Sequence, residues 1–110
     1  MKRRVAITGL GLVTPVGNDV ATSWPALLEG RSGVAPISLF DASGFSTRIA
    51  AEVKRFDEGA ITADRKLLKF ANRSHKFALA AAEEAMRDAG IRPSEETARR
   101  WGCTVLSPMP

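Results

Sequence analysis

The sequence predicts an α/β fold in which helices pack on a mostly parallel β-sheet. The first observation is a nearly unbroken apolar run with β-branched residues over residues 5–13, which is typical of a strand buried on both faces. We call this run the opening segment. The second is that Pro15 and Gly17 end the run and a helical apolar pattern follows directly. The predicted elements then continue in the order β-α-β-α-α-β, which indicates a layered α/β domain.

Two glycines, Gly9 and Gly11, interrupt the opening segment. Glycine is favoured where another backbone approaches closely or where φ is positive. A dinucleotide-binding G-x-G-x-x-G motif needs a third glycine where Thr14 stands, and a P-loop needs a lysine that does not follow Gly17. We therefore expect a structural role for these glycines, and a nucleotide-binding domain is the alternative that a binding test would decide.

The first helix is predicted over residues 19–29, with Asn18 or Asp19 as its N-cap. Pro25 removes a backbone donor from the helix interior, so the helix either kinks there or begins only at Ser23. The apolar residues that share one face of this helix are Val20, Trp24, Leu27 and Leu28.

The middle of the chain predicts less regular structure. Residues 32–46 are rich in Gly, Ser, Pro and Asp and are expected to form an ordered surface loop. In residues 48–56, Ile49 and Val53 alternate with polar positions, which predicts a short strand near a sheet edge.

Two helices follow, one short and one long. The short helix is expected to start near Thr62 or Asp64 and to run into Lys69, and the long helix covers residues 72–89 and ends at Gly90. Small residues predominate in its packed stripe, which allows close approach to a neighbour: Phe70, Ser74, Phe77, Ala78, Ala81, Ala85 and Ala89. The side facing water is predicted to carry Glu83, Glu84, Arg87 and Asp88.

The last part of the chain predicts one more strand. Pro93 and Ser94 are expected to open a short helix, and residues 101–106 to form a buried strand that contains Cys103. Pro108 and Pro110 are unsuited to a strand ladder. No repeat or linker divides the chain, so we expect one domain over residues 1–106 and a tail over residues 107–110.

Composition restricts the classes of function. The 110 residues are 45% hydrophobic and 25% charged, which is ordinary for a soluble globular protein, and the net charge of +4 favours acidic partners. The single cysteine excludes an internal disulfide and a Cys-based zinc site and fits a reducing compartment. No apolar run approaches the ~20 residues of a membrane span. We expect a cytoplasmic protein without membrane attachment.

The order of these motifs resembles a known family. The stretch R-R-V-A-I-T-G-L-G-L-V-T-P-V-G-N-D-V is similar to the amino-terminal opening of β-ketoacyl-acyl-carrier-protein synthases, the condensing enzymes of fatty-acid and polyketide synthesis. The likeness continues at Trp24 and in A-L-L-E-G-R-S-G, I-S-L-F-D-A-S-G-F, I-A-A-E-V and A-L-A-A-A-E-E-A-M-R-D-A-G. It implies a thiolase-like fold with two pseudo-symmetric halves. Residues 1–106 would be the first part of one half, and residues 107–110 a tail outside the family pattern.

The resemblance also implies a reaction without a cofactor or metal. A cysteine takes the acyl chain as a thioester, and two histidines assist decarboxylative condensation with malonyl-carrier protein. In the family these three residues lie downstream of the matched segment, so we expect no catalytic residue in this chain and no activity of the chain alone. Cys103 is expected to be an inert buried thiol and His75 a surface residue.

Basic residues suggest a second role. Five of them recur at spacings of three and four, so that several share a helical face: Arg65, Lys66, Lys69, Arg73 and Lys76. In the family, basic residues of this segment help to dock the acidic acyl carrier protein, and Arg65, Lys66 and Lys69 match those positions. Leu67 and Phe70 depart from the usually polar pattern there.

Two alternatives to carrier docking by a synthase stay open. The basic face is either merely solvated, or it belongs to a non-catalytic module that docks an acidic partner such as acyl carrier protein. Nucleic acid is not expected, because the face has no interleaved aromatic residues and no recognised module. Family members are typically homodimers.

Overall fold

Helices make up most of the regular structure in this protein, whose computed structural model describes residues 2–61 and 64–107. The elements are α1 (Val20–Leu28), β1 (Ala35–Pro36), β2 (Ile49–Ala50), α2 (Arg65–Leu68) and α3 (Arg73–Ala89), with 3₁₀ turns at Glu58–Ala60 and Ala98–Arg100. They lie in two compact units, one formed by residues 2–11 and 59–107 and the other by Leu12–Glu58. Thr62, one of the two predicted helix starts, and residues 108–110 of the predicted tail lie outside the described residues.

Helix α3 has the bounds that the sequence predicts because local signals fix both of its ends. At the N-terminus, Asn72 Oδ1 accepts a hydrogen bond from the His75 N–H at 2.9 Å, and His75 Nδ1 accepts one from the Asn72 N–H at 3.4 Å. At the C-terminus, Gly90 has φ +66° and its N–H donates to the Arg87 carbonyl at 3.2 Å. Only glycine adopts this conformation without steric cost.

The opening segment packs directly on α3 through a glycine–alanine seam, which consists of Gly9, Gly11, Ala81, Ala85 and Ala89. A Cβ atom on Gly9 would overlap the Ala85 carbonyl oxygen, and one on Gly11 would overlap the Ala81 carbonyl oxygen. Both glycines are therefore required by a close approach of backbones. The predicted close approach is confirmed for these glycines and for Ala81, Ala85 and Ala89. The small-residue stripe also predicts a deeply packed helix, and this prediction is wrong because no residue of α3 is buried.

A polar contact and a small apolar cleft lie beside the seam. The Leu10 N–H donates to Asp88 Oδ2 at 3.0 Å, so the side chain of α3 satisfies a backbone donor of the opening segment. The apolar cleft, of about 180 Å³, is lined by Thr8, Gly9, Ala85, Met86, Ala89, Ile91 and Trp101. These contacts hold one flank of the opening segment against α3.

The prediction of buried strands is wrong for both ends of the described chain. No strand is formed in residues 2–13, where Val5 is 94% exposed, or in residues 101–106, where the Cys103 thiol is also exposed. A strand forms only by pairing with a neighbour. Within the described ranges, the only ladder is antiparallel, with Ala35 opposite Ala50 and Pro36 opposite Ile49. The predicted strand over residues 48–56 is thereby reduced to two residues, and the mostly parallel sheet is absent from the described residues.

Four predicted side-chain positions around α3 also need correction. Ser74, predicted in the packed stripe, is exposed. Phe70 is 90% exposed and not packed, because α3 begins only at Arg73 and the predicted stripe runs across the break between α2 and α3. Glu83 and Glu84 are half-buried rather than on the wet side.

Helix α1 buries small residues, not the predicted apolar face. Ser23 and Ala26 are buried, whereas the predicted face is largely exposed at Trp24, Leu27 and Leu28. The reason is a tight turn that packs on the helix: a Cβ on Gly17 would lie 2.6 Å from the Ser23 nitrogen. The helix begins at Val20 with Pro25 inside it, so the predicted alternative of a start at Ser23 is wrong.

Asp19, rather than Asn18, caps α1. Its Oδ1 accepts hydrogen bonds from the Thr22 hydroxyl at 2.6 Å and from the Thr22 N–H at 2.7 Å. The hydroxyl bond first, and the N–H bond second, lower the pKa of Asp19 below its ordinary value of 3.8. Because the folded pKa is the lower one, the cap contributes its full stabilisation above pH 3.8 and loses it as the pH falls through the folded pKa.

We predict that Thr22→Val raises the pKa of Asp19 towards 3.8, because it removes the stronger of the two hydrogen bonds and keeps the side-chain shape. An NMR titration of the Asp19 carboxylate measures this shift. The matched control is Thr22→Ser, which retains the hydroxyl and is expected to leave the pKa low. An unchanged titration in Thr22→Val would contradict this account of the cap.

Candidate functional site

The basic residues of the α2 region are positioned by two short capping interactions. Asp64 Oδ1 accepts from the Lys66 N–H at 2.9 Å and fixes the start of α2. The helical path extends beyond Leu68, because the Phe70 N–H donates to the Leu67 carbonyl at 3.1 Å. The chain then turns into the Asn72 cap of α3. Residues 65–70 therefore follow one short helical path of somewhat more than one turn.

Arg65, Lys66 and Lys69 lie together on this helical path and are exposed to solvent. None of their charged groups forms an ion pair with another described residue. Lys66 and Lys69 are separated by three positions, which places them on the same side of a helical turn. We call Arg65, Lys66, Leu67, Lys69 and Phe70 the α2 surface.

The other two members of the predicted basic face are engaged elsewhere. The Arg73 guanidinium lies over the Phe77 ring, with 4.9 Å between Cζ and the ring centroid, which is a cation–π geometry. Lys76 is half-buried on α3. The structure thus brings three of the five predicted basic residues together on the α2 surface and gives the other two a packing role.

His75 and Cys103 do not form a nucleophile–base pair. His75 is exposed at the start of α3, where its Nδ1 is occupied by the N-terminal cap, as expected for a surface residue. Cys103 is a free and exposed thiol rather than the predicted buried one. Throughout residues 2–61 and 64–107, no group of three or more His, Cys, Asp or Glu residues is placed to hold a metal ion. No helix in those ranges is long and apolar enough to span a bilayer.

A cleft of about 470 Å³ lies at the start of α1, in the unit Leu12–Glu58. Three cationic residues line it, but two of them already have partners. Arg31 Nη2 pairs with Glu29 Oε2 at 2.6 Å, and Lys54 Nζ donates to the Gly33 carbonyl at 3.3 Å. The third is Arg55. The lining contains no cysteine or histidine, so the cleft offers positive charge but neither a thiol nucleophile nor an imidazole base.

Asn18 has a role that the sequence analysis did not find. Its Nδ2 donates to the carbonyls of Lys54 at 3.0 Å and Arg55 at 3.1 Å. Arg55 has φ +52°, a strained conformation for a residue with a side chain, and these bonds help to hold it. Asn18 is separated from Lys54 and Arg55 by more than thirty residues. No local sequence signal points to such a contact.

The three glycines near the start of the chain leave no room for a phosphate. The space in front of Gly9 and Gly11 is filled by α3, and the space at Gly17 by the Thr22 hydroxyl and Ser23. A phosphate-binding loop needs open backbone N–H groups. The expectation of a structural role is therefore confirmed for these glycines.

Comparison with known proteins gives a consistent result. The family model for the β-ketoacyl synthase N-terminal domain matches residues 2–107. The 3-oxoacyl-[acyl-carrier-protein] synthase 2 of Coxiella burnetii is 48% identical over 106 residues, which are 96% of this chain and 25% of that protein. The synthase 2 of Vibrio harveyi is 43% identical over the same shares of the two chains. This chain thus spans about a quarter of the length of these relatives.

A solved structure agrees with the family match. The ishigamide ketosynthase/chain length factor superposes with a TM-score of 0.76 at 37% identity, over 84% of this chain and 23% of that one. Over the matched 84% of the chain, the backbone path is therefore similar to that of the corresponding part of this ketosynthase structure.

Proposed function

The chain belongs to the β-ketoacyl synthase N-terminal domain family, and on that premise we propose that it is the amino-terminal portion of a 3-oxoacyl-[acyl-carrier-protein] synthase. The observation that carries the proposal is the glycine–alanine seam within a family match over residues 2–107. The seam explains why the opening segment of this chain carries glycines without binding a nucleotide. We propose a domain over residues 1–106 and a tail over residues 107–110, although the family match extends one residue further, to residue 107.

The proposed reaction of the whole synthase is a decarboxylative condensation. An acyl group held as a cysteine thioester is transferred to the carbanion that forms when malonyl-carrier protein loses CO₂. A new C–C bond forms, the acyl–sulfur bond breaks, and the cysteine thiolate is released with 3-oxoacyl-carrier protein. The chain has one cysteine and one histidine, and neither is placed for this chemistry. We infer that catalysis requires residues supplied by the rest of a synthase.

The contribution of this chain is structural and, at the α2 surface, concerned with substrate delivery. Arg65, Lys66 and Lys69 are exposed and unpaired among the described residues, which favours an acidic partner. The relatives' names contain an acyl carrier protein, and we propose that this protein is the acidic partner. Within the synthase, the opening segment becomes a central strand of a layered, mostly parallel sheet. The free thiol fits a reducing cytoplasm, and we propose a homodimer for the whole enzyme.

A hybrid enzyme tests the proposal. In this hybrid synthase, residues 1–106 of the chain replace the matched first quarter of the Coxiella burnetii enzyme. We expect carrier-dependent condensation within about tenfold of the parent rate, because the two segments are 48% identical and protein cores tolerate substitutions that keep the volume and the apolar pattern. The 110-residue chain alone is expected to give no product. A folded hybrid synthase without condensation activity would contradict the proposal.

A further inference from the structure

Two apolar side chains stand in the basic α2 surface without covering any core. Leu67 is 66% exposed, and Phe70, at 90%, is more exposed than any other aromatic residue that the structure describes. Isolated exposed apolar residues are common on protein surfaces. An exposed aromatic ring beside three unpaired cations is less ordinary, because aromatic residues are enriched at the anchor points of interfaces.

The geometry of the turn places the apolar residues side by side. The hydrogen bond from the Phe70 N–H to the Leu67 carbonyl, 3.1 Å long, continues the helical path across Lys69. Leu67 and Phe70 are therefore neighbours at a spacing of three, and Lys66 and Lys69 are neighbours in the same way. The α2 surface thus carries one apolar row beside one basic row.

We propose that Leu67 and Phe70 are the apolar anchor of the docking surface, and that the occupant is a carrier protein whose acidic face carries an exposed apolar side chain between its carboxylates. This inference rests on the carrier docking proposed above. The cations steer an acidic partner to the α2 surface, and the apolar row is then covered by the partner's apolar side chain. Burial of Phe70 slows dissociation, since most differences in affinity lie in the off-rate.

Charge decides between this occupant and a second copy of the chain. Two α2 surfaces facing each other would place Arg65, Lys66 and Lys69 against the same three cations, and like charges across an interface are strongly unfavourable. An acidic carrier protein has the opposite sign. The apolar row adds affinity that does not depend on salt, whereas the basic row adds affinity that salt screens.

A titration with the hybrid synthase separates the two rows, because the isolated chain is expected to be poorly stable. Fluorescently labelled acyl carrier protein at nanomolar concentration is titrated with the unlabelled hybrid synthase. We expect Phe70→Ser to weaken binding about tenfold in both about 0.05 M and about 0.3 M NaCl. Lys69→Glu is expected to weaken binding about tenfold in the low salt and only a few-fold in the high salt. In the hybrid synthase, Phe70→Ser is expected to raise KM for the carrier substrate and to leave kcat unchanged.

Two matched controls change residues that do not belong to the α2 surface. Leu39→Ser replaces a leucine that is 61% exposed in the unit Leu12–Glu58, and Arg92→Glu reverses a charge beyond the far end of α3, about 25 Å along the helix from its start. Both variants are expected to bind as the unchanged hybrid synthase does.

The outcomes distinguish the inference from the function on which it rests. Salt-independent weakening by Phe70→Ser, with both controls unaffected, supports the apolar anchor. If Phe70→Ser does not weaken carrier binding, the proposal of an apolar anchor is overturned and the proposal of a basic docking surface is retained. If Lys69→Glu and Phe70→Ser both leave carrier binding and KM of the active hybrid synthase unchanged, both docking proposals are overturned and the family function is retained.

Discussion

Gly11→Ala is expected to prevent the hybrid synthase from reaching a stable, active fold. The new Cβ would overlap the Ala81 carbonyl oxygen and would lie 2.8 Å from the Ala81 carbonyl carbon and 2.9 Å from the Ala85 nitrogen. These are backbone atoms of α3, so no rotamer change relieves the overlap. Overpacking against movable side chains already costs about 1–3 kcal/mol, and we expect at least about 3 kcal/mol here. Thermal unfolding and soluble yield of the hybrid synthase measure the effect.

The matched control for this prediction is Gly102→Ala. Gly102 has a negative φ and no atom within 4 Å of the position of an added Cβ. The same methyl group is therefore expected to change the unfolding free energy by no more than about 0.5 kcal/mol. If the Gly11→Ala and Gly102→Ala enzymes unfold at the same temperature, the glycine–alanine seam does not hold the opening segment in place.

The isolated 110-residue chain is expected to bind hydrophobic dyes, to self-associate at micromolar concentration and to unfold without a cooperative transition. Its apolar ends lie open to solvent, with Val5 at 94%, Leu106 at 93% and Ile7 also largely exposed. The core of the described residues is small and consists of Ala26, Ala42 and Ile61. Exposed apolar segments with unpaired backbone groups favour association. Sedimentation velocity and differential scanning calorimetry test these expectations.

A double variant isolates the cause of the association. Val5→Thr with Ile7→Thr keeps the β-branched shape and removes much of the exposed apolar surface, so it is expected to shift the chain towards monomer. The matched control, Val34→Thr, alters an exposed β-branched residue of the unit Leu12–Glu58 and is expected to have little effect. A soluble monomer with a cooperative heat-capacity peak would contradict the expectation for the unchanged chain.

Local signals explain what the sequence predicts correctly about the fold. Asn72 and Gly90 fix α3 through contacts within a few residues, and Asp64 does the same for α2. Gly9 and Gly11 predict a close backbone approach, and the alanine stripe predicts a helix that a neighbour approaches closely, but the sequence does not predict that the two pack on each other. Strands are not fixed by such local contacts. The apolar pattern of residues 5–13 gives a preference for extended backbone, and a strand forms only when a neighbouring strand pairs with it. No described residue supplies that neighbour.

The same distinction applies to the candidate site. Helical spacing was sufficient to place Arg65, Lys66 and Lys69 on one short helical path. It failed for Phe70, because the apolar periodicity runs through the break between α2 and α3. It also gave no indication of the contact of Asn18 with Lys54, since a side-chain amide bonded to a distant carbonyl leaves no periodic pattern.

Amide hydrogen exchange over residues 5–13 tests most directly whether this chain forms the inner part of a larger synthase. Measured in the hybrid synthase and in the isolated chain, exchange at these amides is predicted to be at least about a hundredfold slower in the hybrid, because a paired central strand opens only with the surrounding sheet. Leu10 is expected to be protected in both, since its N–H is bonded to Asp88. If the other amides of residues 5–13 exchange as fast in an active hybrid synthase as in the isolated chain, the account is contradicted.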